Sequence, residues 1–175
     1  MWRLSSRMTV AAILLLMTVW IVTAWPERQT SPAVDMRIGT PAPEFALEDA
    51  DGVAIRLGDY RGQVVMLNFW ATWCTGCKLE LPWLTALQEE YEHRGLVSIG
   101  VALDDEGWSV VKPFLATHPV GYHVVVGDWA LADRYDVVGL PLTMLIDREG
   151  KVRAAHLGVI DREAWATEIQ RVLDL

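Results

Sequence analysis

The sequence predicts an α/β fold, with a β-sheet of mixed strand direction and helices on both faces. In the middle of the chain, apolar runs of strand length alternate with helical patterns, and near the end two strand patterns follow each other as a hairpin. The largely apolar runs 64–69 and 96–103 are expected to be buried strands. A chain of 175 residues can form one such domain with its own core, plus an appendage.

The first half of the domain is expected to contain a hairpin, a buried strand and a long helix. Residues 45–57 place apolar residues on both sides of Asp51-Gly52, which is a signal for a β-hairpin. After the strand at 64–69, a helical pattern extends from about residue 75 to residue 93. Gly95 supplies the stop, because glycine readily adopts the left-handed conformation that ends many helices.

The second half is expected to alternate helices and strands before it closes with a helix. A helix at about 108–117 should be interrupted by Pro113, because proline lacks the backbone N–H that a helix interior uses. The remaining elements are predicted as a strand at 122–128, a short helix at 129–135, strands at 139–147 and 152–158, and an amphipathic helix at 162–173.

The N-terminal segment is predicted to carry the rest of the protein out of the cytoplasm. Arg3 and Arg7 precede an uncharged, mostly apolar run, Met8–Trp25, which is close to the minimum length for a membrane-spanning helix. Arginines before the run direct the N-terminus to the cytoplasm and the domain to the extracytoplasmic, or periplasmic, side. A single-pass, uncleaved anchor is preferred. The alternative is a signal peptide cleaved after Ala24, and both would export the domain.

The chain is therefore divided into an anchor or signal segment (1–25), a polar linker with two prolines (26–37) and a folded domain (38–175). The net charge of −8 for the whole chain becomes −10 for residues 26–175, because the first 25 residues contain two arginines and no other charge. Such an acidic domain has no basic footprint for nucleic acid, and this class of partner is excluded.

Cys74 and Cys77 are the only cysteines of the chain and form a C-x-x-C motif. As a structural disulfide, they would close a very short loop and would stabilise the fold only slightly. The two other interpretations are half of a metal site and a redox pair that opens and closes.

The position of the pair bears on the redox interpretation. The motif follows a buried strand and a turn and begins a helix, where unpaired N–H groups and the helix dipole stabilise an anion. Thiols at such positions have a lowered pKa, so Cys74 is the expected attacking residue. Cys77 comes one helical turn later and is expected to be the less exposed, resolving thiol. The arrangement suits disulfide exchange through a mixed disulfide on Cys74.

The metal interpretation requires further ligands near the cysteine pair. A closed zinc site has four ligands, and the four histidines, at positions 93, 118, 123 and 156, have no ligand-like spacing. A metal-binding chaperone that delivers copper with Cys74 and Cys77 is retained as the alternative function. A peroxidase is excluded, because Leu67 and Ala71 occupy the places where its Pro-x-x-x-Thr-x-x-Cys run needs proline and threonine.

The motifs NFWATWC with C-x-x-C, the upstream GTPAPEFAL and the downstream GLPLTMLID together resemble the TlpA/ResA-like thioredoxins. The resemblance covers about residues 38–173. It implies a thioredoxin fold with an added N-terminal β-hairpin and a central helix–strand insertion. It also implies a membrane-anchored, extracytoplasmic thiol–disulfide oxidoreductase whose Cys74–Cys77 pair works without another cofactor.

The same resemblance identifies further site residues and partners. Pro141 corresponds to the cis proline that faces the disulfide, and its backbone neighbour Leu140 would pair with substrate. The expected substrates are exported proteins with oxidised thiols, including apocytochrome c as in cytochrome c biogenesis. Electrons would come from a thiol-relay protein in the membrane.

Three residues depart from the patterns of related thioredoxins. Gly76 stands where the family usually has proline, so a redox potential does not transfer to this chain. Asn68 stands where thioredoxins proper have a buried aspartate that accepts a proton. Leu142 lacks the acidic side chain found there in the cytochrome-maturation branch.

Glu80 is the candidate that replaces the missing acid. On a helical wheel it shares a stripe with Cys77, Trp83, Leu84, Leu87 and Tyr91. A carboxyl group on the apolar face beside a thiol would have a raised pKa and could exchange protons with Cys77. The alternative is a surface glutamate near a helix start, where the dipole favours it.

Two tryptophans near the motif are ambiguous. Trp73 is a candidate for the substrate-facing rim, together with Trp70, although tryptophan is equally common in protein cores.

Overall fold

The computed structural model of the protein describes residues 37–175, and this range begins with a small hairpin. Strands β1 (Ala46–Glu48) and β2 (Ala54–Arg56) pair in antiparallel fashion. The turn between them is held by Asp49, whose carboxylate accepts hydrogen bonds from the N–H groups of Asp51 and Val53. The predicted N-terminal hairpin is confirmed.

The other elements follow in the expected order along the chain. The main sheet contains β3 (Val64–Trp70), β4 (Leu96–Ala102), β5 (His123–Val126), β6 (Leu142–Ile146) and β7 (Val152–Leu157). The helices are α1 (Thr75–Tyr91), α2 (Trp108–Thr117), α3 (Trp129–Arg134) and α4 (Arg162–Leu173), with short 3₁₀ turns at Leu57–Tyr60 and Glu92–Arg94.

The main sheet has the strand order β5-β4-β3-β6-β7. Strand β3 is parallel to β4 and antiparallel to β6, while β4 is parallel to β5 and β6 is antiparallel to β7. Every residue of β3 is buried, as expected for the central strand of a sheet covered on both faces. The predicted sheet of mixed direction is confirmed. The pair α2–β5 forms the helix–strand insertion and adds an edge strand beside β4.

The side chains of β3 alternate between two apolar layers, because successive residues of a strand point to opposite faces. Val65 and its odd-numbered neighbours join the layer that contains the hairpin and α3. Val64 and Met66 join the layer formed by α1 and α4. Trp70, on the same face as Val64, packs in the cluster that includes residues of α2. Helices therefore cover both faces of the sheet, as the sequence predicts.

Two helices contain an internal proline and continue through it. The predicted interruption of α2 at Pro113 is wrong, since the helix runs from Trp108 to Thr117 without a break. Proline removes the bond to the carbonyl four residues earlier, and Ser109, which owns that carbonyl, is exposed and can be hydrated. Helix α1 passes through Pro82 in the same way. It then tightens into a 3₁₀ turn that ends at Gly95 with a φ of 94°.

The N-terminal predictions fall almost entirely outside the described residues. The anchor or signal segment predicted at 1–25 lies outside them, and so does all of the linker predicted at 26–37 except Arg37. Within residues 37–175, no helix has the length and apolar character needed to cross a membrane.

Candidate active site

Cys74 and Cys77 form a disulfide at the N-terminus of α1. Cys74 is the N-cap residue, and its sulfur accepts a hydrogen bond of 3.1 Å from the backbone N–H of Cys77. Cys74 is 7% exposed and Cys77 is 0% exposed. The sulfur of Cys74 therefore lies where helix N–H groups stabilise a thiolate and is the more accessible of the two.

The loop before the disulfide is held by a residue that sequence reasoning missed. The buried carboxylate of Asp104 accepts bonds of 3.2 and 3.0 Å from the backbone N–H of Thr72 and one of 2.5 Å from its hydroxyl. Asp104 follows β4, and Thr72 follows β3, so both lie where the parallel strands end. An acidic residue directly after a buried strand was the available signal.

Pro141 lies against the turn of the C-x-x-C motif. The Leu140–Pro141 peptide bond is cis, as the family resemblance implies. A Cβ atom added at Gly76 would lie 3.4 Å from Pro141 Cδ, which places the proline ring beside the middle of the motif. The carbonyl of Pro141 accepts a hydrogen bond of 2.8 Å from the N–H of Gly158, which ties this turn to the end of β7.

Gly76 is half-buried in the first turn of α1 and is closely packed. A Cβ atom at this position would lie 3.0 Å from Val159 Cγ2, tighter than ordinary van der Waals contact. Val159 follows β7 and fills the space that a larger residue at position 76 would need. The glycine at position 76, where the family usually has proline, is thus packed against Val159. The sequence pattern alone did not indicate this contact.

Glu80 is completely buried and belongs to the inner face of α1. Its Oε1 accepts a hydrogen bond of 2.8 Å from Asn68 Nδ2, and its Oε2 accepts one of 3.3 Å from the backbone N–H of Ile160. Burial raises the pKa of Glu80 from its ordinary value of 4.5 to about 7, although the Ile160 and Asn68 hydrogen bonds act in the opposite direction. This carboxyl group can gain or lose a proton near neutral pH.

Asn68, at the position of the missing aspartate, holds Glu80 in place. Its amide nitrogen also donates a bond of 2.9 Å to Thr143 Oγ1, so it links α1 to the neighbouring strand β6. The helical wheel correctly places Glu80 with the buried Cys77, and it is wrong for Trp83, which is exposed.

The two tryptophans of the motif lie in different environments. Trp73 is 61% exposed, whereas Trp70 is 0% exposed and packs in the core cluster that contains both cysteines. The half-buried Leu140 packs against that cluster as well. Sequence reasoning missed two further exposed apolar residues, Val159 beside Gly76 and Leu157 beside Gly139. These two residues, Trp73 and Leu140 are here called the apolar rim.

Metal binding was the competing interpretation of the cysteine pair. Within residues 37–175, no group of three or more histidine, cysteine, aspartate or glutamate residues is placed to hold a metal ion. Among the histidines, His118 stacks on the ring of Phe114 at 4.2 Å, and His156 contacts the carbonyl of Val159.

Comparison with known proteins adds independent evidence. A family model described as the AhpC/TSA family matches residues 38–155. The thioredoxin-like protein YneN of Bacillus subtilis is 31% identical over 168 residues, which cover 94% of this chain and 96% of that protein. The thiol-disulfide oxidoreductase ResA of Bacillus cereus is 35% identical over 139 residues, with coverage of 78% and 79%.

A solved structure agrees with the fold described above. The thiol:disulfide interchange protein DsbE from Chlorobium tepidum superimposes with a TM-score of 0.74 and 36% sequence identity. The match covers 78% of this chain and 97% of that structure. The chain therefore belongs to the AhpC/TSA family and, within it, to the thioredoxin-like thiol–disulfide oxidoreductases.

Proposed function

We propose that this protein reduces disulfides in exported proteins through its Cys74–Cys77 pair. The observation that carries the proposal is the pairing of a helix-capping disulfide with a completely buried carboxyl group, Glu80, on the same helix face. The disulfide supplies the two-electron chemistry. The carboxyl group supplies a proton acceptor whose pKa, raised by burial to about 7, suits neutral conditions.

The first step uses the accessible sulfur. In the reduced enzyme, the Cys74 thiolate attacks one sulfur of the substrate disulfide, and the S–S bond of the substrate breaks. A mixed disulfide forms on Cys74, and the leaving substrate thiolate takes a proton from solvent. The exposed Trp73 and the half-buried Leu140 of the apolar rim are suited to contact the substrate chain, with Pro141 beside Gly76 of the motif.

The second step releases the substrate. Glu80 accepts the proton of the Cys77 thiol, and the resulting thiolate attacks the sulfur of Cys74. The mixed disulfide breaks, the second substrate thiolate leaves and is protonated, and the Cys74–Cys77 disulfide is formed. Two electrons have moved from the enzyme to the substrate, so a donor must reduce the pair again.

Location and partners are proposed from the sequence. The apolar run Met8–Trp25, with Arg3 and Arg7 before it, supports a membrane anchor with the domain on the extracytoplasmic side. A thiol-relay protein of the same membrane would then be the electron donor. Apocytochrome c is proposed as one client from the TlpA/ResA resemblance, although Leu142 departs from the cytochrome-maturation branch.

The reduction potential of the pair tests the direction of electron flow. We expect a value more negative than about −200 mV, in the range of glutaredoxins and thioredoxin, because a reductant must pass electrons to its substrates. The measurement is equilibration of the full-length protein with glutathione or dithiothreitol buffers. A value near −120 mV, as for a strong oxidant, would reverse the proposal.

A Cys77→Ser variant should accumulate the mixed disulfide with a substrate, since it lacks the resolving thiol.

Cys74 should be the first thiol modified in the reduced protein. It caps α1 and is the more exposed of the two sulfurs, and both properties favour reaction of its thiolate. Limiting iodoacetamide followed by peptide mapping measures the order of labelling. Preferential labelling of Cys77 would contradict the assignment of Cys74 as the nucleophile.

Glu80→Gln should slow resolution of the mixed disulfide by about 10²-fold above pH 7, because the proton acceptor is lost. The rate–pH profile of a single turnover measures this effect, with Glu89→Gln, an exposed position on the same helix, as the control. Because the folded-state pKa of Glu80 is raised from 4.5 to about 7, the wild-type protein loses stability as pH rises through that interval. The Glu80→Gln variant should not show this loss of stability with pH. An unchanged rate–pH profile in the variant would remove Glu80 from the mechanism.

The proposed location predicts that the protein stays with the membrane after washing with high salt. An apolar helix in the bilayer is not released by salt, which screens only electrostatic attachment. Protease added from the extracytoplasmic side should digest the domain. Recovery of a soluble protein that begins at Trp25 would instead support the cleaved signal peptide.

A further inference from the structure

Three neighbouring strands each contribute one residue to a short row beneath the inner face of α1. Asn68 on β3 pairs with Gly100 on β4 at one side and with Thr143 on β6 at the other. Since paired residues of adjacent strands share a face of the sheet, all three positions lie on the Glu80 side. Gly100 has no side chain, so the row leaves space next to Asn68.

Two aromatic side chains use the space above Gly100. A Cβ atom added there would lie 3.1 Å from Trp70 Nε1 and 3.2 Å from Tyr122 Cε2. Tyr122 precedes β5, and its ring packs against both apolar clusters on this face, one containing Leu84 of α1 and the other containing the cysteine pair. The ring therefore lies between α1 and the sheet, beside the position where Asn68 holds Glu80.

Three polar atoms around this position are buried without a hydrogen-bond partner in the described part of the protein. They are Tyr122 Oη, Trp70 Nε1 and Asn68 Oδ1. The first two can donate, while the amide oxygen of Asn68 accepts. Buried polar atoms are usually satisfied by protein groups or by ordered water that makes two to four hydrogen bonds. The carboxylate of Glu80, which forms no ion pair among residues 37–175, can accept further hydrogen bonds.

We propose that Tyr122 is a positioning residue for Glu80, acting through one internal water molecule. The water accepts hydrogen bonds from the Tyr122 hydroxyl and the Trp70 indole N–H. It donates to Asn68 Oδ1 and to the Glu80 carboxylate. One molecule with four bonds thereby satisfies all three buried atoms and supplies Glu80 with an additional donor. The inference rests on the proposed function, in which Glu80 accepts the proton of Cys77.

The tyrosine suits this task because it stays protonated. Burial, followed by the nearby charge of Glu80, raises the pKa of Tyr122 above its ordinary value. A donor directed through water at the carboxylate favours its ionised form and counteracts the desolvation. Among the other titratable groups on these elements, Cys77 precedes Glu80 by one helical turn on α1, His156 on β7 pairs with Thr143, and Asp161 follows Ile160.

The test compares Tyr122→Phe with Tyr91→Phe in the full-length reduced protein. Each variant removes a single hydroxyl, and Tyr91 is a matched control because its hydroxyl accepts a bond from Gln170. The carboxyl stretching band of Glu80 in the infrared, assigned by its loss in Glu80→Gln, is followed against pH. We expect its titration to move upward by about 1 to 2 pH units in Tyr122→Phe, as for loss of a hydrogen bond to a charged group, and not in Tyr91→Phe.

The kinetic readout should follow the spectroscopic one. The rise of the exchange rate with pH should shift upward by the same amount in Tyr122→Phe, because Glu80 then ionises at higher pH. A titration that does not move, with thermal stability that rises, would overturn the inference and leave Tyr122 as an unsatisfied buried hydroxyl. If Glu80→Gln leaves the rate–pH profile unchanged, the proposed role of Glu80 fails instead. The infrared titration would still decide whether Tyr122 acts on the carboxyl group.

Discussion

The burial of the Glu80 carboxyl group is the constraint on which the site depends. A carboxylate that is removed from water is costly unless polar groups surround it. In this protein Asn68 and the Ile160 N–H contact it, and burial still raises its pKa to about 7. The Glu80 carboxyl group is therefore close to half ionised near pH 7, and it lies one helical turn from Cys77. A fully solvated glutamate would be ionised throughout the neutral range and could take up a proton only weakly.

The two sulfurs experience different surroundings although they are three residues apart. Cys74 caps α1, where helix N–H groups favour the thiolate, while Cys77 lies on the apolar inner face that also buries Glu80. Gly76 lies between them in the first turn of α1 and is packed against Val159, a residue that follows the last strand. The N-terminus of α1 thus favours the thiolate of Cys74, whereas Cys77 is set by its burial on the inner face of the helix.

Sequence patterns predict the strands and helices of this fold well, but they do not predict the residues at which these elements begin and end. The buried run at 64–69 became the central strand β3, and Gly95 ends the helical region as expected. The expected strand at 139–147 is shorter in the structure, Leu142–Ile146, because residues 139–140 form a bend and Pro141 has no backbone N–H for the sheet. Pro113 was expected to interrupt α2, but the helix continues, since the residue whose carbonyl loses its donor, Ser109, is exposed and can be hydrated.

The sequence by itself determined the C-x-x-C motif at a helix start, the α/β alternation and the placement of Glu80 on the apolar face of α1. These depend on spacing along one element, which periodicity reports directly. Three contacts were decided only by the tertiary structure. Asn68 donates a hydrogen bond to Glu80, and Asp104 accepts one from Thr72. The ring of Tyr122 lies over Gly100. Each of these contacts joins residues on different elements. Their proximity is set by strand order and register, which no local pattern records.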